Sequence, residues 1–73
     1  MATMMQAEAL TEYAWRIRGF LMWLPEEKKN KEYLQDRDLI RSLIWKYQTT
    51  EASALNLEDE IKNLNTIKIK YEK

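Results

Sequence analysis

Residues 19–27 read GFLMWLPEE and hold both the single glycine and the single proline of the 73-residue chain. The proline ring disfavours helical geometry at the preceding residue, so a helix that reaches Leu24 should end there. Pro25 suits the first turn of a following helix, where Glu26 and Glu27 match the positive end of the helix dipole. Because glycine and proline are otherwise absent, the sequence predicts long helices and not a turn-rich β fold.

The first helix is predicted over residues 3–24. Thr3 and Gln6 have the spacing of a capping box, in which each side chain binds the backbone N–H of the other residue. Apolar residues then recur at steps of three and four, which places one side of the helix in the core: Leu10, Tyr13, Ile17, Phe20 and Leu24. Gly19 costs about 1 kcal/mol relative to alanine inside a helix. We therefore interpret it as permitting a close helix contact.

The second arm is predicted to run from residue 25 to residue 48. The polar stretch 26–32 should project beyond the core, and the buried stripe should consist of Tyr33, Leu39, Ile40, Leu43, Ile44 and Tyr47.

Two structures remain open for the rest of the chain. The three-four stepping continues as far as Tyr71, which allows one coiled-coil-like helix of about 45 residues. Thr49 and Thr50 are weak helix formers, however, and Asn56 is a good N-cap. These residues favour a break and a third helix over residues 51–71.

The last part of the chain carries a second ambiguity. Residues 66–71 alternate between polar and apolar residues with a period of two, which is typical of a strand. The same residues can form a helix end whose lysines favour the negative pole of the dipole. We favour the helix.

Composition limits the fold and the assembly. The chain is 45% hydrophobic and 33% charged with a formal net charge of zero, which is typical of one small globular domain over residues 1–73. We predict an all-α fold: a helical hairpin or small three-helix bundle whose second arm is long or kinked. A domain of this length buries only about 60% of its unfolded surface. Because the chain has no cysteine for a disulfide, we also expect a homodimer.

Several reaction classes lack their residues. The chain has no histidine and no cysteine, which removes the usual bases, thiols and zinc ligands. The acidic pairs at helical spacing, Glu8–Glu12 and Glu32–Asp36, are assigned to solvent-facing sides. The sequence also has no glycine-rich phosphate loop. We therefore predict no enzyme and name no catalytic, cofactor-binding or metal-binding residue.

Two other classes of partner, nucleic acid and membranes, have less support in the sequence. Lys28, Lys29 and Lys31 form a basic cluster suited to phosphate, but acidic residues are interleaved with it. A small dimeric helical RNA- or DNA-binding regulator is therefore the alternative function, and nucleic acid is disfavoured. The longest apolar run, residues 20–24, is far shorter than the roughly 20 residues of a membrane span. With no secretory signal in the sequence, we expect a cytoplasmic protein.

One pattern points to a binding surface. On a helical wheel, both predicted helices carry a second apolar patch opposite the buried stripe, with a tryptophan in each. The patches contain Met4, Trp15, Gly19 and Met22 on the first helix, and Leu34, Arg41 and Trp45 on the second. Tryptophan, methionine and arginine are enriched in protein interfaces. A competing interpretation places both tryptophans in a tighter three-helix core.

These residues are the predicted partner contacts. Arg16 and Arg18 flank Trp15 and could stack on it, and an amphipathic helix at a membrane surface is a weaker alternative. The predicted function is a non-catalytic protein-interaction module, such as a small inhibitor, adaptor or assembly factor, that occludes or bridges a protein partner. Accessory proteins of phages and mobile elements often have this size and composition.

Overall fold

The computed structural model describes residues 3–72 and consists of three α-helices with two short 3₁₀ turns. In chain order these are α1 (Met4–Met22), a turn at Glu26–Lys28, α2 (Tyr33–Thr49), a turn at Ala52–Ala54, and α3 (Leu57–Tyr71). Helix α1 packs against both α2 and α3. The all-α, three-helix arrangement is therefore confirmed. Within residues 3–72, no helix combines the length and the apolar character needed to cross a membrane.

Helix α1 begins with the predicted capping box. The Gln6 N–H donates to Thr3 Oγ1 at 3.1 Å, and the Thr3 N–H donates to Gln6 Oε1 at 2.8 Å. The helix ends at Met22, two residues earlier than predicted, and the Trp23 N–H closes its last turn on the Gly19 carbonyl.

The predicted start of the second helix at Pro25 is wrong. Glu26–Lys28 forms only a 3₁₀ turn without a buried residue, and α2 begins eight residues later at Tyr33. The Asn30 side chain accepts the Glu32 N–H at 2.8 Å, a local bond that competes with helical geometry. A polar segment with no face to bury gains little from becoming a helix, because tertiary packing supplies most helical stability.

The second break is where the sequence placed it. Helix α2 ends at Thr49, and Thr50 has an extended backbone. Asn56 caps α3, its side-chain oxygen accepting the Asp59 N–H at 3.2 Å. Residues 66–71 belong to α3, so the helical interpretation of this segment is confirmed and the strand is excluded.

The buried side of α1 is rotated from the predicted stripe. Ala7, Ala14 and Leu21 are buried beside the predicted Leu10 and Ile17. Phe20 in α1 and Leu39 in α2, which we predicted to be buried, are exposed. The three-four spacing of large apolar residues predicted the helix but not the centre of its buried face. The reason is that the pattern was built from large apolar residues and did not include the buried alanines.

Gly19 does not mediate a close helix contact. A Cβ atom added at Gly19 would meet no atom within 4 Å outside its own helical backbone. The small residue at the centre of the packing is Ala14, which is fully buried. The interpretation of Gly19 as a contact point inside the bundle is therefore wrong.

Candidate functional site

The outward sides of α1 and α2 form one continuous surface, which we call the tryptophan face. It consists of a groove and a smaller depression. Trp15 and Gln48 line both, so these two residues lie between them. The smaller depression, of about 220 Å³, is lined by Trp15, Arg18, Arg41, Ile44, Trp45 and Gln48.

The groove is the larger part of the tryptophan face, with a volume of about 960 Å³. One wall is the N-terminal part of α1, from Met4 to Trp15. The other wall is the end of α2 and the turn that follows it, from Tyr47 to Ser53. The groove is open to solvent, and its volume falls within the roughly 300–1,000 Å³ of ligand-binding clefts.

The structure brings three predicted contact residues together. Trp15, Arg41 and Trp45 line the same depression although they come from different helices. Met4 lies at the far end of the groove. Met22 and Leu34 are exposed and line neither depression, whereas Gly19 lines a separate pocket with Phe20 and Trp23.

Both tryptophans of this surface are open to solvent. Trp15 is 47% exposed and Trp45 is 69% exposed, so the alternative that they fill a three-helix core is wrong for the single chain. The Arg18 guanidinium lies over the Trp15 ring, 5.1 Å from its centre. Arg16 instead pairs with Glu12 at 3.0 Å. The distance between Arg18 and the Trp15 ring is that of a cation–π contact.

Charge is divided along the tryptophan face. Glu8 and Glu51 line the groove together with Glu12, whose charge is paired with Arg16, and Arg18 and Arg41 line the smaller depression. The surface therefore has an acidic end and a basic end, with Trp15 between them.

Helix α2 also meets α3 through two buried carboxylates, at a contact that we call the α2–α3 seam (Asp36, Tyr47, Glu60 and Tyr71). Tyr47 belongs both to this seam and to the wall of the groove. The Tyr47 hydroxyl of α2 donates to Glu60 Oε1 of α3 at 3.0 Å. In return, the Tyr71 hydroxyl of α3 donates to Asp36 Oδ2 of α2 at 2.5 Å. Each helix thus supplies one tyrosine and one carboxylate.

A lysine completes each pair of the seam. Lys46 Nζ donates to Glu60, and Lys70 Nζ bridges Asp36 at 3.4 Å and Glu32 at 3.0 Å. The assignment of Asp36 to a solvent-facing side is therefore wrong, because α3 covers it. Nothing near Asp36 in the sequence signals this burial, since its partners lie more than thirty residues away.

Burial makes both seam tyrosines hard to ionise. It raises the pKa of Tyr47 and of Tyr71 above the ordinary value, and the hydrogen bonds to Glu60 and Asp36 raise each pKa further. The hydrogen bond to Glu32 raises the pKa of Lys70, against an opposing effect of its desolvation. Among the described residues, no buried side-chain nitrogen or oxygen lacks a hydrogen-bond partner. The buried polar groups of the seam are therefore satisfied by one another and by the two lysines.

The basic cluster of the nucleic-acid alternative lies in the connection before α2. Lys29 pairs with Glu26 at 3.2 Å and lies over the Tyr33 ring. The lysine charge is thus partly engaged by the protein itself. Across residues 3–72, no group of three or more acidic side chains is placed to hold a metal ion.

Comparisons with known proteins do not add a relative. The chain matches no protein-family model, no curated protein and no solved structure.

Proposed function

We propose that this chain is a non-catalytic protein-interaction module and that the tryptophan face is its contact surface. One observation carries the proposal: Trp15 and Trp45, from two helices, both stand exposed around one depression that also contains Arg18 and Arg41. Tryptophan and arginine are the residue types that most often dominate the binding energy of an interface. A module of this kind acts by occluding or bridging its partner, as a small inhibitor, adaptor or assembly factor does.

The groove beside Trp15 suits this role. Hot-spot side chains contribute most to binding energy in desolvated pockets. A partner could cover the exposed tryptophan ring and also insert a side chain of its own into the groove. Glutamates and arginines both lie around this surface, so complementary charges on a partner would fix its orientation.

Capture from native lysate by the immobilised chain tests the proposal. Trp15→Ala and Trp45→Ala should each weaken capture of a specific protein by about thirtyfold or more, the hot-spot scale. Trp23→Ala is the matched control, because Trp23 is 89% exposed but lines a different pocket. Circular dichroism should show unchanged helicity for all three variants.

Two results would contradict the proposal. Equal capture by the wild type and the two face variants would show that the tryptophan face is not the contact surface. Recovery of nucleic acid in place of protein, lost steeply with added salt and on replacing Lys28, Lys29 and Lys31, would favour the RNA- or DNA-binding alternative.

A further inference from the structure

We propose that the occupant of the tryptophan face is a second copy of this chain, docked antiparallel about a two-fold axis that crosses the middle of the face. The inference rests on the proposed function, since it identifies the partner of the same surface. It follows from the division of charge along that surface.

The acidic and basic ends are separated by the length of the face. Glu8 and Arg18 lie ten residues apart on α1, which is about 15 Å along a helix. On the other wall, Glu51 lines the groove and Arg41 lines the smaller depression. Both walls thus run from acidic to basic in the same direction.

A two-fold axis that lies in the face and is perpendicular to the helices places the acidic end of each copy against the basic end of the other. In a two-fold interface, if residue i meets residue j of the partner copy, then j also meets i. The axis places α1 of one copy against α1 of the other. Glu8 of each copy then lies opposite Arg18 of the other copy, and Glu51 of each copy lies opposite Arg41 of the other copy. A parallel arrangement would place like charges together, which costs binding energy.

The axis crosses the middle of the face, where both tryptophans lie. On α1, Trp15 lies between Arg18 and Glu12, which is paired with Arg16, and on α2 Trp45 lies beside Arg41. The second copy would therefore cover both tryptophans in the centre, with Glu8 and Glu51 toward the rim. This is the usual anatomy of a protein interface.

Arg41 on α2 and Glu51 in the turn after α2 have no competing ion-pair partner among the described residues. A standard interface of roughly 800 Å² per partner would cover about one seventh of the 5425 Å² that the chain exposes.

Charge reversal at Arg41 and Glu51 tests the arrangement. Sedimentation equilibrium should show a wild-type dimer, and Arg41→Glu or Glu51→Arg alone should weaken it about tenfold or more, since each creates two like-charge contacts. The variant carrying both changes should dimerise again. An equimolar mixture of the two single variants should also recover, as a heterodimer, because every contact across that interface is then between opposite charges.

The mixture makes the experiment specific. Recovery in the mixture requires that residue 41 of one copy meets residue 51 of the other, which no rearrangement within a single chain can imitate. Lys62→Glu, on an exposed position of α3, is the control and should leave the dimer unchanged. Circular dichroism of each variant verifies the fold.

The outcomes separate this inference from the proposed function. A wild type that stays monomeric, or a dimer that ignores both reversals and their mixture, overturns the antiparallel dimer. Capture of a different protein that depends on Trp15 and Trp45 would still support the interaction module in that case. Loss of both properties would overturn both proposals.

Discussion

The two sides of α2 differ in how completely their side chains are partnered. Toward α3, Asp36 and Tyr47 are buried and each is bonded to a group on the facing helix. Toward solvent, Arg41 and Trp45 stand exposed. One side of α2 thus has polar groups that are hydrogen-bonded within the chain. The other side has apolar and charged groups that are exposed to solvent.

The comparison separates stability from binding. Buried carboxylates are costly unless they are paired and hydrogen-bonded, so the α2–α3 seam belongs to the folding of the chain. An exposed tryptophan adds little to folding, because burial of apolar surface is what stabilises. We therefore expect that a partner could bind the exposed tryptophans of this face without weakening the fold.

The largest expected difference between the two sides concerns truncation of a large apolar residue. Leu64→Ala removes a fully buried side chain of α3 and should cost about 2–5 kcal/mol of the free energy of unfolding. Trp45→Ala removes more atoms from the exposed side, yet it should change this free energy by only about 0.5 kcal/mol. Urea unfolding of dilute protein, followed by circular dichroism, measures both. Equal losses would contradict the assignment of Trp45 to a binding surface.

A smaller effect should appear in alkaline solution and should concern only the seam. The pKa of Tyr47 and of Tyr71 is raised by folding, whereas both tyrosines ionise near pH 10 when the chain is unfolded. The native state then holds protons that the unfolded state has lost. The stability due to these groups is present below about pH 10 and declines as the pH rises further.

Thermal melts between neutral and alkaline pH check this expectation. Tyr71→Phe is the informative variant, because it removes a donor from the buried Asp36 carboxylate. It should cost about 1–3 kcal/mol at neutral pH and then lose stability less steeply than the wild type above pH 10. An identical alkaline slope in both proteins would show that Tyr71 is not protected by the seam.

The smallest expected effect is a gain in stability. Gly19→Ala places a methyl group in open space on α1 and should raise the free energy of unfolding by about 0.4–1 kcal/mol. The reverse change at a buried position, Ala14→Gly, should lower it, because Ala14 is fully buried. Differential scanning calorimetry measures both shifts. A loss of stability in Gly19→Ala would mean that another chain packs closely at this glycine.

The sequence predicted those parts of the fold that depend on near neighbours. The Thr3–Gln6 capping box, the end of α2 at Thr49 and the cap at Asn56 each involve residues within a few positions of one another. The start of α2 was predicted wrongly because residues 26–32 have no side to bury and Asn30 forms a local bond that competes with the helix. Tyr33, its first residue, is buried and donates its hydroxyl to the Leu21 carbonyl at 2.9 Å.

The candidate site was predictable only in pieces. A helical wheel shows that Trp15 faces away from the buried side of α1 and that Trp45 does the same on α2. A helical wheel gives no information on how one helix is oriented relative to the other. That relative orientation brings both tryptophan rings and Arg41 to one depression. The same limit explains Asp36, whose burial depends on where α3 lies.

The exposure of all three tryptophans gives the protein an unusual optical property. Trp15, Trp23 and Trp45 are each at least 47% exposed, so the intrinsic fluorescence of the folded chain comes from indoles in contact with water. Unfolding should therefore shift the emission maximum only slightly. Covering the tryptophan face should shift emission from two of the three indoles to shorter wavelength and shield them from acrylamide. Trp23 would remain an accessible reference in the same spectrum.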